Sequence, residues 1–138
     1  MINKILLAII ISAGLTQLIK ISILVFKHKQ QFYWKDFFVT GGMPSAHSSV
    51  VTSLSLIIFL TEGLSSSFFI SIVLMLIVIR DAMGVRRSVG EEGKILNDII
   101  KKSKLKVPKV HYSLGHTPKE VFVGVVIGIL TSVIIYLF

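Results

Sequence analysis

The stretch GGMPSAHSSVVTSLSLIIFLTEG, Gly41 to Gly63, changes character along its length. Two glycines and a proline lead to Ser45 and His47. An apolar run then continues to Leu60, and Glu62 and Gly63 break it. Such a run reads as a helix entering an apolar environment, and the break reads as a tight turn. The next apolar run, Ser65 to Ile79, heads back and ends at Arg80 and Asp81. The two runs form a hairpin whose open ends lie on one side. Packing alone gives no reason to place a serine and a histidine at its mouth.

The chain on either side is equally apolar. Ile5 to Phe26 is interrupted by Ser12, Thr16, Gln17, Lys20 and Ser22, and is long enough to cross a bilayer as a helix. Lys4 before an apolar run also suits a secretory signal, but the apolar pattern resumes after Thr16–Gln17, which a cleaved signal does not need. Val121 to Phe138 is a fourth run, entered through Thr117 and Pro118. Between the first and second runs, Phe32, Tyr33 and Trp34 stand beside Lys35, as rings at the headgroup level do. The 138 residues are 53% hydrophobic with mean hydropathy +0.82, beyond the range of a soluble domain. The expected fold is all-α. It is a polytopic membrane bundle of about four transmembrane helices, in one domain of residues 1–138.

A polar segment separates the third and fourth runs. Ile95, Leu96, Ile99 and Ile100 recur at helical spacing among Lys94, Asp98, Lys101 and Lys102. This predicts a short cytoplasmic amphipathic helix, lying in the interface or packed on the rest of the protein and ended by Pro108. The lysines from Lys101 to Lys109 read as membrane-surface charges.

Counting spans brings distant residues together. His47 and Arg80–Asp81 lie at the open ends of the hairpin, and the fourth run starts from the same side at His116. The formal net charge is +8, and every lysine and arginine except Lys4 falls between Lys20 and Lys119. By the positive-inside rule this face is cytoplasmic, with both termini outside.

Two helix entrances open on that face. Ser45 suits an N-cap. Thr117-Pro118-Lys119-Glu120 reads as a capping box with proline at the first helical position. Free backbone N–H groups and the positive helix end favour a phosphate at such places. Lys20, Lys27, Arg80, Arg86 and Arg87 are nearby cations, with arginine the better bidentate partner. One histidine stands at each entrance. One can attack phosphorus while the other protonates the leaving oxygen. Glu120, four residues after His116, can hold the imidazole N–H, although the capping box alone also accounts for it. Likewise, Lys20 can simply snorkel, and Arg80 and Asp81 can form an ion pair at a helix end.

These residues resemble a known family. Pro44-Ser45-Ala46-His47 resembles the P-S-G-H motif of the type-2 phosphatidic acid phosphatase superfamily, which includes vanadium haloperoxidases. His116 to Glu120 resembles the H-x3-D end of its S-R-x5-H-x3-D motif, and Lys20-x6-Lys27 resembles its K-x6-R-P motif. GGMPSAHS, RDAMGVRRSVGEEGKILND and LGHTPKEVFVG look more closely like its divergent bacterial and plant branch, over nearly the whole chain. The resemblance implies a metal-independent phosphatase without a cofactor, working through phosphohistidine. His116 would be the nucleophile, Glu120 its orienting carboxylate and His47 the general acid. Lys20 and Ser45 would help bind phosphate. The sequence departs from the pattern at Val110, where the third motif has arginine, and at Lys27 and Ala46. Arg86 or Arg87 is the candidate replacement guanidinium.

Other chemistries are excluded. Cysteine is absent, so there is no disulfide framework or thiolate metal site. Ser88 stands where a P-loop ending at Gly93-Lys94 needs glycine, and no G-x-S-x-G elbow is present. His111 and His116 lack the spacing of a helical zinc pair. One membrane face accounts for the basic residues, so nucleic acid is not an expected partner. The expected function is hydrolysis of a lipid phosphomonoester or diphosphate at a cell membrane. A non-catalytic lipid-phosphate-binding or membrane assembly protein is the alternative, and with so few spans a homodimer is an open option.

Overall fold

The computed structural model describes residues 2–27, 42–112 and 114–138. The Lys27 side chain lies outside the described residues, as does the aromatic connection with Phe32, Tyr33, Trp34 and Lys35. Five α-helices are described: α1 (Ile2–Ser22), α2 (Ala46–Glu62), α3 (Ser66–Met83), α4 (Val85–Lys102) and α5 (Pro118–Leu137). A π-helical turn, Ile23–Lys27, prolongs α1. No strand occurs among the described residues. The protein is a helical membrane bundle.

Among the described residues, three stretches are long and apolar enough to cross a membrane: Lys4–Phe26, the one beginning at Ser66, and Pro118–Leu137. The first hairpin arm expected from the sequence, α2, has 17 residues. It is therefore about 26 Å long, against a hydrocarbon core of about 30 Å. Its position resolves the shortfall. α2 packs against α1, α3 and α5 together, so it is the centre of the bundle and its sides meet protein.

The helices turn their small and polar residues inward. On α1, Ala8, Ser12, Thr16 and Lys20 follow one another at i, i+4 and are buried, while Leu6, Ile10 and Leu18 face outward. Ser12 Oγ meets Ser49 Oγ at 2.6 Å, and Ser132 Oγ donates to the Ser53 carbonyl at 2.9 Å. A membrane bundle gains little by burying leucine, because lipid is as apolar as leucine. Small residues let the backbones approach closely, and their hydroxyls bond across helices. Gly124 and Gly128 do this for α5. A Cβ on Gly128 would stand 2.5 Å from the Ser49 carbonyl oxygen, so α2 and α5 touch there through backbone.

The helix ends are fixed locally. Gly63, at φ +69°, forms the turn between α2 and α3, and Ser65 caps α3 by accepting from the Phe68 N–H at 3.1 Å. At that same end of the bundle, Lys4 Nζ donates to the Tyr136 carbonyl at 3.0 Å. α1 and α5 therefore run antiparallel, and the Lys20 end of α1 reaches the face where α2 and α5 begin.

The amphipathic helix differs from its expected bounds. α4 starts at Val85, directly after Gly84 closes α3, ten residues before the periodic isoleucines announce it. It ends at Lys102, with Ser103 as its C-cap, rather than at Pro108. Lys104 takes φ 52°, a left-handed conformation that stops the helix.

Candidate active site

Two backbone hydrogen bonds assemble the site. The Ser45 N–H donates to the Glu120 carbonyl at 3.1 Å, joining the start of α2 to the first turn of α5. The His116 N–H donates to the Ala82 carbonyl at 2.9 Å, joining the approach to α5 to the end of α3. The two helix entrances and the α3 end therefore meet at one place, as the hairpin topology requires.

Each entrance is capped as its sequence suggests. Ser45 Oγ lies 3.4 Å from the Ser48 N–H that it accepts, and 2.9 Å from Ser48 Oγ. Thr117 Oγ1 accepts from the Glu120 N–H at 3.4 Å, while Glu120 Oε2 accepts from the Thr117 N–H at 3.0 Å. The same Oε2 lies 3.2 Å from His116 Nδ1. A carboxylate only accepts, so in the neutral imidazole Nδ1 carries the proton and Nε2 keeps its lone pair. Glu120 thus completes the capping box and orients the imidazole at once. His116 is buried, at 6% exposure, so its ring has little freedom to turn away.

His116 and His47 line one cavity of about 180 Å³, together with Asp81, Ala82, Arg86 and Ile77. Pockets that enclose whole small molecules run to roughly 300–1,000 Å³. This one has room for a phosphate group and a few atoms more. His47 lies in the electrostatic reach of Arg86, His116, Lys20 and Asp81. Lys20 is buried, and its charge interacts with that of Glu120. Two cations, two carboxylates and two imidazoles therefore share one end of the bundle.

The three arginines part company. Arg86 lines the cavity, and its Nε donates to Asp81 Oδ2 at 2.6 Å. Arg87 instead pairs with Glu91 at 3.0 Å along α4. Arg80 lies on a separate depression with Ser88 and Glu92. Asp81 therefore pairs with Arg86, not with its neighbour Arg80. Sequence reading missed Asp81 as a cavity residue. The pair spans five positions across the Gly84 break, a spacing no regular helix announces. Val110, at the position of the family arginine, is held away from the cavity lining by Asn97, which bonds both its N–H and its carbonyl at 2.8 Å. Among the described residues, no group of three or more histidines and carboxylates is placed to hold a metal ion.

A model described as the Divergent PAP2 family matches residues 1–131. The uncharacterized membrane protein YuiD of Bacillus subtilis (strain 168) is 36% identical to this chain, over 88% of this chain and 87% of its own length. No solved structure matches the chain.

Proposed function

The chain belongs to the Divergent PAP2 family, and from that premise we propose that it is a lipid-phosphate phosphatase that works through phosphohistidine. The observation that carries this reading is the placement of His116 and His47 on one small cavity, with Glu120 bonded to His116 Nδ1. The substrate is a phosphomonoester or diphosphate on a lipid, met at the cytoplasmic face.

His116 Nε2 attacks phosphorus in line, and the bond from phosphorus to the lipid oxygen breaks. Glu120 stabilises the positive charge that appears on the ring. His47 gives its proton to the departing oxygen. It then takes a proton from water, whose oxygen attacks phosphorus and breaks the P–N bond. Phosphate leaves and His116 is restored. Arg86, anchored through Nε to Asp81 on the cavity, would offer its terminal nitrogens to phosphate oxygens. Lys20 and the N–H groups after Ser45 add positive potential. No metal takes part in these steps.

A second reading is favoured by Val110. With an apolar residue at the family's arginine position, the fold would bind lipid phosphate or serve membrane assembly without chemistry. Acid-labile, base-stable ³²P on the protein after brief incubation with a labelled lipid phosphate supports the enzyme. Lipid phosphate binding without label or phosphate release supports the second reading.

A further inference from the structure

The segment that carries His116 reaches the site by way of an arm. α4 begins where α3 ends, and among the described elements it packs against α3 alone. The return, residues 103–112, runs back along α4. Asn97 holds Val110 by two hydrogen bonds of 2.8 Å. Tyr112 closes on Gly93, where a Cβ would stand 2.5 Å from Tyr112 Cβ. Gly115 lies against the Arg87 backbone, too close for any side chain. α4 and its return form one unit, joined to the bundle at Gly84, by the Arg86–Asp81 pair and at the His116–Ala82 bond.

The outer surface of this unit follows one pattern. Val89, Leu96 and Ile99 are exposed on α4, and Leu105, Val107 and Val110 are exposed on the return. Between and beside them stand Lys101, Lys102, Lys104, Lys106 and Lys109, all exposed. Glu91, Glu92 and Asp98 are exposed on α4, but no acidic residue interrupts the chain from Lys101 to Lys119. An anionic lipid surface answers both halves of the pattern. Its headgroup phosphates meet the lysines, and the boundary of its acyl chains takes the apolar side chains. Position favours the same partner. The arm starts at the end of a helix that crosses the membrane. Its 18-residue helix spans about 27 Å, so it stays within that reach of the bilayer.

We propose that the arm of α4 and residues 103–112 docks on the anionic leaflet of the bilayer holding the bundle. Lys101, Lys102, Lys104, Lys106 and Lys109 bind lipid headgroups, and Leu105 and Val107 enter the interface between them. The docked arm sets the height at which the return delivers His116 to the cavity. The docking surface stands apart from the phosphatase reading; only its influence on turnover rests on that reading.

The chain has no cysteine, so Leu105→Cys gives the full-length protein a unique thiol for an environment-sensitive dye. The labelled protein is placed in nanodiscs of phosphatidylcholine alone or of phosphatidylcholine with phosphatidylglycerol. The expected result is blue-shifted emission and protection from an aqueous quencher in the anionic discs, lost at high salt and absent in phosphatidylcholine. Neutralising lysines to glutamine weakens docking by roughly fivefold each at low salt. If the five-lysine variant does not fold, the salt titration of the labelled chain with all its lysines decides alone. A dye equally exposed in both discs overturns the proposal. So does equal burial in both, which removes the lysines from the cause. Protection that appears in detergent and grows with protein concentration also overturns it, assigning the face to a second copy of the chain. None of these readouts requires turnover.

Discussion

The Ser45 N–H donates to the Glu120 carbonyl at 3.1 Å, so the helix entrance that carries His47 is bonded to the one that carries His116. The two histidines lie far apart in sequence, yet one backbone contact fixes the entrances to each other. That contact needs α2 and α5 to approach closely over their first turns, and Gly124 and Gly128 permit it.

Gly128→Ala therefore places a methyl against the Ser49 carbonyl and forces α2 from α5. Overpacking of this kind costs about 1–3 kcal/mol. The variant should melt at a lower temperature in detergent. Gly14→Ala, at a helical position with nothing within 4 Å, should melt at the same or a higher temperature. Equal melting of the two variants would contradict close α2–α5 packing.

Glu120→Gln keeps an oxygen for the Thr117 N–H and removes the negative charge beside His116. Phosphatase turnover should fall by roughly 10²–10⁴-fold, the span of general acid–base and orienting effects. The melting temperature should change little. Thr117→Ala removes the other half of the capping box and should cost about 1 kcal/mol of stability. A Glu120→Gln protein with full turnover would reduce Glu120 to a capping residue.

The arginines should separate by kinetics. Arg86→Lys loses the planar fork and should raise KM for lipid phosphate, and Arg86→Ala should raise it further. Arg80→Ala and Arg87→Ala should behave nearly as wild type, since Arg80 lies on another depression and Arg87 is paired with Glu91. KM values measured for all four variants check this. A larger effect at Arg87 than at Arg86 would reverse the assignment.

Much of this arrangement was legible because its causes are local. Ser45 and the Thr117–Glu120 box are signatures that a few consecutive residues complete, and both helices begin where those signatures stand. The meeting of His47 and His116 followed from counting spans, since a hairpin returns its ends to one side. The inward faces were not legible. α1 is apolar nearly all round, so hydrophobic periodicity carries no direction, and only its small polar residues mark the buried side. The start of α4 was hidden because residues 86–94 are largely polar and its apolar period shows only from Ile95. The Asp81–Arg86 pair was hidden by the break at Gly84. The glycine pair Gly124 and Gly128 did carry a signal, the small-xxx-small spacing of close helix contacts.

Asn97→Ala releases both backbone groups of Val110. Two hydrogen bonds of about 0.5–1.5 kcal/mol each are at stake. The return segment should then exchange amide hydrogens faster than in the wild type, while the amides of α2 and α5 stay as protected as before. Hydrogen exchange read by mass spectrometry checks this, and unchanged exchange at residues 109–112 would contradict the clamp.

The central claim is that His116 is the nucleophile of a lipid-phosphate phosphatase. Its most direct measurement is phosphate release from a panel of lipid phosphates, by purified wild type and His116→Ala in detergent without added metal. Release by the wild type from at least one lipid, abolished in His116→Ala while the variant keeps its melting temperature, is the predicted result. Release that survives in His116→Ala, or none from any lipid by a folded wild type that binds them, would contradict it.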